Sequence, residues 1–106
     1  MGSYQIIDQG ENFIVKNIVV KPYAKLSLQS HKHRSEHWVV VAGRAEVTIN
    51  DKITTLEPNQ STYIPSETKH RLANNDDKDL ILIEVWYGDR LDEEDITRYE
   101  DIYNRV

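Results

Sequence analysis

The segment from Leu26 to Gly43, LSLQSHKHRSEHWVVVAG, decides the fold, because two strand patterns enclose a cluster of polar side chains. Leu26–His31 alternates apolar and polar residues, which indicates a strand with one buried face. Glu36–Ala42 contains a Trp and three Val in a row, which is typical of a strand enclosed between two layers. Gln29 and His31 are two residues apart and point to one face of the first strand. The segment therefore predicts a polar site carried by a pair of strands.

Short strands with turn signals about every ten residues continue on both sides of this segment, which is typical of a sandwich or barrel. The alternation predicts strands at Tyr4–Asp8, Phe13–Lys21, Leu26–His31, Glu36–Ala42, Ala45–Asn50, Lys52–Leu56, Ser61–Ile64, Arg71–Asn74 and Leu80–Tyr87. We predict one all-β domain that spans residues 1–106.

Only the tail changes its period. Asp92–Glu94 offers a capping residue and first-turn acids, which favour the positive end of a helix. Ile96, Tyr99 and Tyr103 then recur at helical spacing. The pattern predicts one C-terminal helix of two or three turns lying on the barrel.

Composition limits the chemistry and the partners of the chain. It has 106 residues, no cysteine and a formal charge of −5, so a metal would be held by His, carboxylate or amide ligands. The acidic balance argues against nucleic acid, and the short basic stretch Lys32–Arg34 suggests a small anionic ligand. No apolar run is long enough for a membrane helix, and no export signal is visible at the start. We expect a cytoplasmic protein with no membrane partner.

Four residues form the candidate metal site. Gln29 and His31 share a strand face, and Glu36 begins the next strand after a short loop. A third strand that ends near His70 can add a fourth ligand. An amide oxygen, two imidazoles and a carboxylate suit zinc, manganese, iron or nickel.

The same residues resemble the two motifs of the cupin family. Gln29-x-His31, four residues, Glu36, six residues and Gly43 is similar to the first motif, with Gln29 in place of its first histidine. The second motif is matched by Asn59, five residues, Pro65-x-Glu67, two residues, His70, three residues and Asn74. Asn59 and Glu67 stand where that motif has glycine. The resemblance implies a double-stranded β-helix, also called a jelly-roll barrel, which commonly forms homodimers.

A closer resemblance is to the C-terminal domain of bifunctional mannose-1-phosphate guanylyltransferase/mannose-6-phosphate isomerase proteins. It rests on Leu26–Gly43, on Tyr63-Ile-Pro, on His70-Arg-Leu-x-Asn74, on Leu82-Ile-Glu-Val85 and on the tail Asp95-Ile-x-Arg-x-x-Asp-x-Tyr103. It covers nearly the whole chain, and 106 residues leave no room for the nucleotide-binding half. The expected activity is therefore the isomerase one, the interconversion of mannose 6-phosphate and fructose 6-phosphate.

The resemblance implies roles for individual residues. Related isomerases hold zinc with Gln, His, Glu and His, which supports zinc as the first choice at the predicted site. A cation must hold the substrate phosphate, and we expect Arg34 in this role, with Lys32 second. Glu84 lies in an otherwise apolar strand, where burial would raise its pKa, and is the candidate proton shuttle. The family usually has a polar residue where Trp86 stands, so an inward-pointing Trp86 would narrow the pocket.

Other readings of the sequence stay open at this point. His33 and His37 are further candidates for the base, although exposed loop and outer-face positions are expected for both. A non-catalytic sugar-binding cupin would keep the pocket without a positioned base. A cupin dioxygenase with iron or nickel would prefer three histidines and a glutamate, and Gln29 argues against it.

Overall fold

The computed structural model describes residues 2–92 and 94–100, which form ten β-strands. The strands are β1 (Gly2–Gln9), β2 (Phe13–Val20), β3 (Leu28–Ser30), β4 (Arg34–Ala42), β5 (Ala45–Ile49), β6 (Lys52–Leu56), β7 (Ser61–Ile64), β8 (His70–Ala73), β9 (Leu80–Gly88) and β10 (Thr97–Glu100). The first nine lie within two residues of the predicted strands. Among the described residues, no helix is long and apolar enough to cross a membrane.

Two five-stranded antiparallel sheets face each other. The first sheet has the order β1-β2-β9-β4-β7, and the second has the order β10-β3-β8-β5-β6. Inward-pointing side chains of the two sheets form the core, which consists mainly of Val20, Trp38, Val40, Val47, Ile64, Leu72, Leu80 and Leu82. This arrangement confirms the predicted cupin barrel.

The predicted C-terminal helix is wrong over the described part of the tail. Thr97–Glu100 forms β10 and pairs with β3, with Thr97 opposite Ser30 and Arg98 opposite Gln29. The Tyr99 hydroxyl lies 2.9 Å from the hydroxyl oxygen of Ser30. Pairing satisfies the backbone groups at the open edge of β3, and this tertiary gain outweighs the weak helical periodicity. Tyr103 and the rest of residues 101–106 lie outside the described residues.

Five described residues have a left-handed backbone, and three of them correspond to glycine positions of the cupin motifs. Gly43 has φ 83°, and Asn59 and Glu67 have φ 72° and 61°. Asn59 and Glu67 therefore adopt the conformation for which the cupin motif uses glycine, at some energetic cost for Glu67. The amide of Glu67 donates a 2.6 Å hydrogen bond to the carbonyl oxygen of His31. This strained turn therefore holds the start of the loop between β3 and β4.

Candidate metal centre

Three predicted ligands meet in the barrel interior. His31 follows β3, Glu36 lies on the inward face of β4, and His70 begins β8. All three are buried, and one ligand atom from each lies within 4.8 Å of the others. Gln29 is the cross-strand neighbour of His70, so that its side chain shares the same face. The first motif and the second motif thus contribute to one cluster.

Both histidines have a defined tautomer. Nδ1 of His31 lies 2.7 Å from the carbonyl oxygen of Asp95, and Nδ1 of His70 lies 3.0 Å from that of Thr68. A carbonyl oxygen only accepts hydrogen bonds, so Nδ1 carries the proton in each ring and Nε2 keeps its lone pair. Burial is the main reason that the pKa of each histidine lies below its usual value, so that both are neutral at pH 7.

Glu36 is an ionised carboxylate in the interior. Burial by itself would raise the pKa of Glu36, but the charge of Arg34 and further neighbours outweigh it and lower the pKa. Nε of Arg34 donates to Oε2 of Glu36 at 2.9 Å, and the indole nitrogen of Trp38 donates to Oε1 at 2.8 Å. Both carboxylate oxygens therefore have a donor, as a buried carboxylate requires.

This donor set fits a divalent metal ion. Two neutral imidazoles with Nε2 lone pairs and one carboxylate are the ligands that transition metals prefer, and their outer Nδ1 protons are already held by backbone carbonyls. Gln29 can supply an amide oxygen from the same face. The set does not distinguish zinc from manganese, nickel or iron.

A cavity of about 250 Å³ opens beside this cluster. Its polar lining consists mainly of Lys16, Gln29, Arg34, Glu36 and Glu84. Arg34 and Glu36 line the cavity and also contact His31, so they connect the cavity with the histidine pair. A small polar ligand in the cavity would therefore lie next to the candidate metal ligands.

Trp86 points inward and contacts two cations. Cζ of Arg34 and Nζ of Lys16 lie 3.4 and 3.5 Å from the centroid of its ring. Cation–π attraction holds both charges beside the cavity. Trp86 therefore lines the cavity and holds two of its cations in place.

Glu84 lies on the same inward face. Its carboxylate accepts a 2.9 Å hydrogen bond from the Trp86 indole nitrogen. Burial and the nearby charge of Glu36 raise the pKa of Glu84 to about 8. Glu36 and Glu84 are thus two carboxyls with opposite pKa shifts, one ionised and the other protonated at neutral pH. That contrast is typical of acid–base sites.

The remaining candidates lie outside the cavity. Lys32 and His33 are exposed on the loop before β4, and Nδ1 of His33 lies 3.7 Å from a carboxylate oxygen of Asp89. His37 is exposed on the outer face, and its ring contacts Tyr63 at a centroid distance of 4.7 Å. The outward placement expected for both histidines is what the structure has. Lys32 does not line the cavity, and its role at a phosphate stays a prediction.

Sequence reasoning missed two residues of the site. Lys16 is 5% exposed and lines the cavity from β2, opposite Glu84 on β9. Its signal was a lysine on the inward, apolar face of FIVKNIVV. Asp95 is 6% exposed and accepts hydrogen bonds from the amides of Lys32 and His33 at 3.1 and 2.8 Å. Asp95 belongs to the tail motif of the family resemblance, but its contact with Lys32 and His33 joins segments more than 60 residues apart and could not be read from local patterns.

Comparison with solved structures supports the fold. A protein with a double-stranded β-helix domain from Klebsiella pneumoniae superposes with a TM-score of 0.80 at 16% identity, over 94% of this chain and 85% of that one. A cupin 2 conserved barrel domain protein from Salinispora arenicola gives a TM-score of 0.72 at 22% identity, over 81% of this chain and 75% of that one. At these identities the likeness establishes the architecture alone.

Comparison at the sequence level identifies the family. The alginate biosynthesis protein AlgA of Pseudomonas aeruginosa is 56% identical over 99% of this chain, and the mannose-1-phosphate guanylyltransferase of Escherichia coli is 50% identical over 99%. The chain spans 22% of the length of each of these relatives. The model of the family described as "Mannose-6-phosphate isomerase C-terminal" matches residues 1–101. The chain therefore belongs to the mannose-6-phosphate isomerase C-terminal family.

Proposed function

We propose that this domain interconverts mannose 6-phosphate and fructose 6-phosphate with the help of a divalent metal ion, zinc being the first candidate. The observation that carries the proposal is the buried cluster of His31, Glu36 and His70 beside a cavity with two cations and a second carboxyl. An aldose–ketose isomerase needs an electrophile for the carbonyl, a group that moves a proton and a cation for the phosphate. Candidate ligands for a metal, a carboxyl with a raised pKa and two buried cations lie in or beside one cavity, which supports the proposal.

His31, Glu36 and His70 would hold the metal, and Gln29 would complete the set. When bound, the metal supplies Lewis-acid polarisation of the sugar carbonyl. The imidazoles are ready for this role, because Asp95 and Thr68 hold their Nδ1 protons and leave the Nε2 lone pairs directed to the cluster.

Glu84 is the proposed proton shuttle. The reaction moves a proton between C1 and C2 through an enediol, so one group has to accept the proton and return it to the neighbouring carbon. A carboxyl with a pKa of about 8 exchanges a proton readily near neutral pH. The Trp86 indole donates a hydrogen bond to this carboxyl, and Lys16 is its cross-strand neighbour on β2.

Arg34 and Lys16 are the proposed phosphate ligands. Both are buried cations that line the cavity, and both are held against the Trp86 ring. A planar guanidinium can bind two phosphate oxygens at once, whereas an ammonium provides a point charge. We propose that Lys16 is the second phosphate ligand, a role that the sequence analysis expected for Lys32, because Lys16 lines the cavity.

The relatives suggest a place for this activity. AlgA and XanB are named for alginate and xanthan biosynthesis, so we propose that the domain serves sugar-phosphate supply for polysaccharide synthesis. The guanylyltransferase activity in other relatives' names belongs to proteins of which this chain covers about a fifth, and we do not propose it here.

The test is turnover by metal-loaded protein. Zinc-loaded wild type should convert mannose 6-phosphate to fructose 6-phosphate, and His31→Ala should abolish conversion because a ligand is lost. His37→Ala is the matched control, since His37 is exposed on the outer face and should leave turnover unchanged. Folded, metal-loaded wild type without turnover would overturn the isomerase proposal. Binding of the hexose phosphate without conversion would favour a sugar-binding cupin instead.

We also propose that the protein is a cytoplasmic homodimer. The outer face of the first sheet carries several exposed apolar side chains, among them Val39, Val41, Tyr63 and Tyr87. Such a patch favours association with another protein surface. Light scattering of the purified protein should give twice the mass of one chain, and a single-chain mass at micromolar concentration would contradict the dimer.

A further inference from the structure

The guanidinium of Arg34 uses the same atoms that a metal ion would use. Nη2 of Arg34 lies 2.9 Å from Nε2 of His31, and Nε of Arg34 lies 2.9 Å from Oε2 of Glu36. These two acceptor atoms are 3.5 Å apart. Arginine only donates hydrogen bonds, so it occupies the lone pair of His31 and one oxygen of Glu36.

Arg34 and a metal ion cannot share these acceptors. An unprotonated imidazole nitrogen has one lone pair. A zinc ion would use this lone pair to bind the nitrogen at a Zn–N distance of ~2.0–2.1 Å. A guanidinium nitrogen on that same lone pair prevents this bond. Two cations in a buried site also repel each other more strongly than in water.

We propose that Arg34 is a built-in competitor for the metal, filling the cation position of the His31–Glu36–His70 cluster in metal-free protein and leaving it when metal binds. This inference rests on the proposed function only for the identity of the ligands. It requires no sugar phosphate and no turnover.

The competition has a structural purpose. Glu36 is 3% exposed, and an ionised carboxylate in that position needs a cation at all times. Arg34 supplies it before the metal arrives, so the metal-free domain stays folded. The side chain also lines the cavity and stacks on Trp86, so a released guanidinium stays beside the cavity in which we place the substrate phosphate.

Zinc affinity of three variants tests the competition. Zinc dissociation constants would be measured by competition with a chromophoric chelator for wild type, Arg34→Met, Arg34→Lys and Arg44→Met. Arg34→Met should bind zinc about tenfold more tightly or better, because no charge-assisted hydrogen bonds have to be broken first. The zinc affinity of Arg34→Lys should fall between those of wild type and Arg34→Met. The lysine ammonium keeps the charge but lacks the planar guanidinium that bridges both acceptors.

Arg44→Met is the matched control. It removes the same charge and side chain from the surface, where Arg44 pairs with Asp76. Its zinc affinity should stay within about twofold of wild type, because exposed charges act weakly at a distance. Equal or weaker zinc binding by Arg34→Met than by wild type overturns the proposal, as does the absence of zinc binding in every variant.

A measurement on wild type covers the case in which Arg34→Met does not fold without metal. The Nε–H resonance of Arg34, assigned by its loss in Arg34→Lys, should shift during a zinc titration and stop at one equivalent. The resonance of Arg44 should stay in place. An Arg34 resonance that does not change while zinc binds overturns the competition, whereas failure of the isomerase proposal would appear only in the turnover of zinc-loaded wild type.

Discussion

The two halves of the barrel interior are built on the same strands but have opposite character. Toward one end, β2, β4 and β9 contribute Val20, Val40 and Leu82, which pack into an apolar core. Toward the other end, the same inward faces contribute Lys16, Arg34, Glu36 and Glu84, which line the cavity. Apolar burial stabilises the first half, whereas each buried charge in the second half costs free energy unless it is paired. One half of the interior therefore stabilises the fold, whereas the other half holds the candidate site.

A cavity in the apolar half should give the largest loss of stability. Leu82 is completely buried, and Leu82→Ala removes contacts that the neighbouring side chains cannot replace. We expect the free energy of unfolding to fall by about 2–5 kcal/mol. Urea unfolding measures it, with Ile53→Ala as control, because Ile53 is exposed on β6 of the other sheet and a loss below about 0.5 kcal/mol is expected there. A similar loss for both variants would contradict the division of the interior.

Loss of the hydrogen bonds between Asp95 and the loop before β4 should reduce stability by a smaller amount. Asp95→Ala loses the acceptors for the amides of Lys32 and His33, which are hydrogen bonds to a charged group. We expect a loss of about 1–3 kcal/mol in the free energy of unfolding. Asp92→Ala is the control, because Asp92 is exposed and pairs with Arg90 on the surface. An Asp95→Ala protein as stable as the Asp92→Ala protein would show that these hydrogen bonds do not hold the loop.

The raised pKa of Glu84 makes stability depend on pH. The folded protein keeps the proton up to about pH 8, whereas the unfolded chain loses it near 4.5, so the folded state binds more protons between these values. Stability from this group is therefore complete below the lower pKa and decreases as the pH rises through the window. Glu84→Gln cannot titrate and should flatten this slope in urea unfolding measured from pH 5 to 8.

Glu57→Gln is the control for that slope, because Glu57 is exposed in the turn before β7. Its stability should follow the wild-type pH profile. A Glu84→Gln profile that keeps the wild-type slope would show that Glu84 does not retain its proton in the folded protein.

Relief of strain at Glu67 should produce the smallest change. Its φ of 61° suits glycine, while glycine also increases the conformational freedom of the unfolded chain. Glu67→Gly should therefore stabilise the protein by up to about 1 kcal/mol. Thermal unfolding beside Glu57→Gly, at a position without a positive φ, checks this, and destabilisation by Glu67→Gly would mean that the glutamate side chain is needed there.

Local patterns in the sequence were sufficient for the strands and for three metal-ligand candidates. Alternation of apolar and polar residues predicted nine strands, each with ends within two residues of the observed ones. A strand with one buried face shows this pattern because every second side chain points to that face. The two cupin motifs singled out His31, Glu36 and His70 as candidates, and the structure brings the three residues together from two facing sheets.

Tertiary structure alone decided the rest. Thr97–Glu100 became a strand because the edge of β3 offered backbone partners, which no periodicity of the tail can reveal. Lys16 and Trp86 joined the site because β2 and β9 are neighbours in the first sheet. Arg34 contacts His31 and Glu36 because an ionised carboxylate in the interior is stabilised by a cation, and Arg34 lies two residues from Glu36 on the same strand face. Sequence by itself determined which side chains face inward, whereas the pairing of distant strands determined which of them meet.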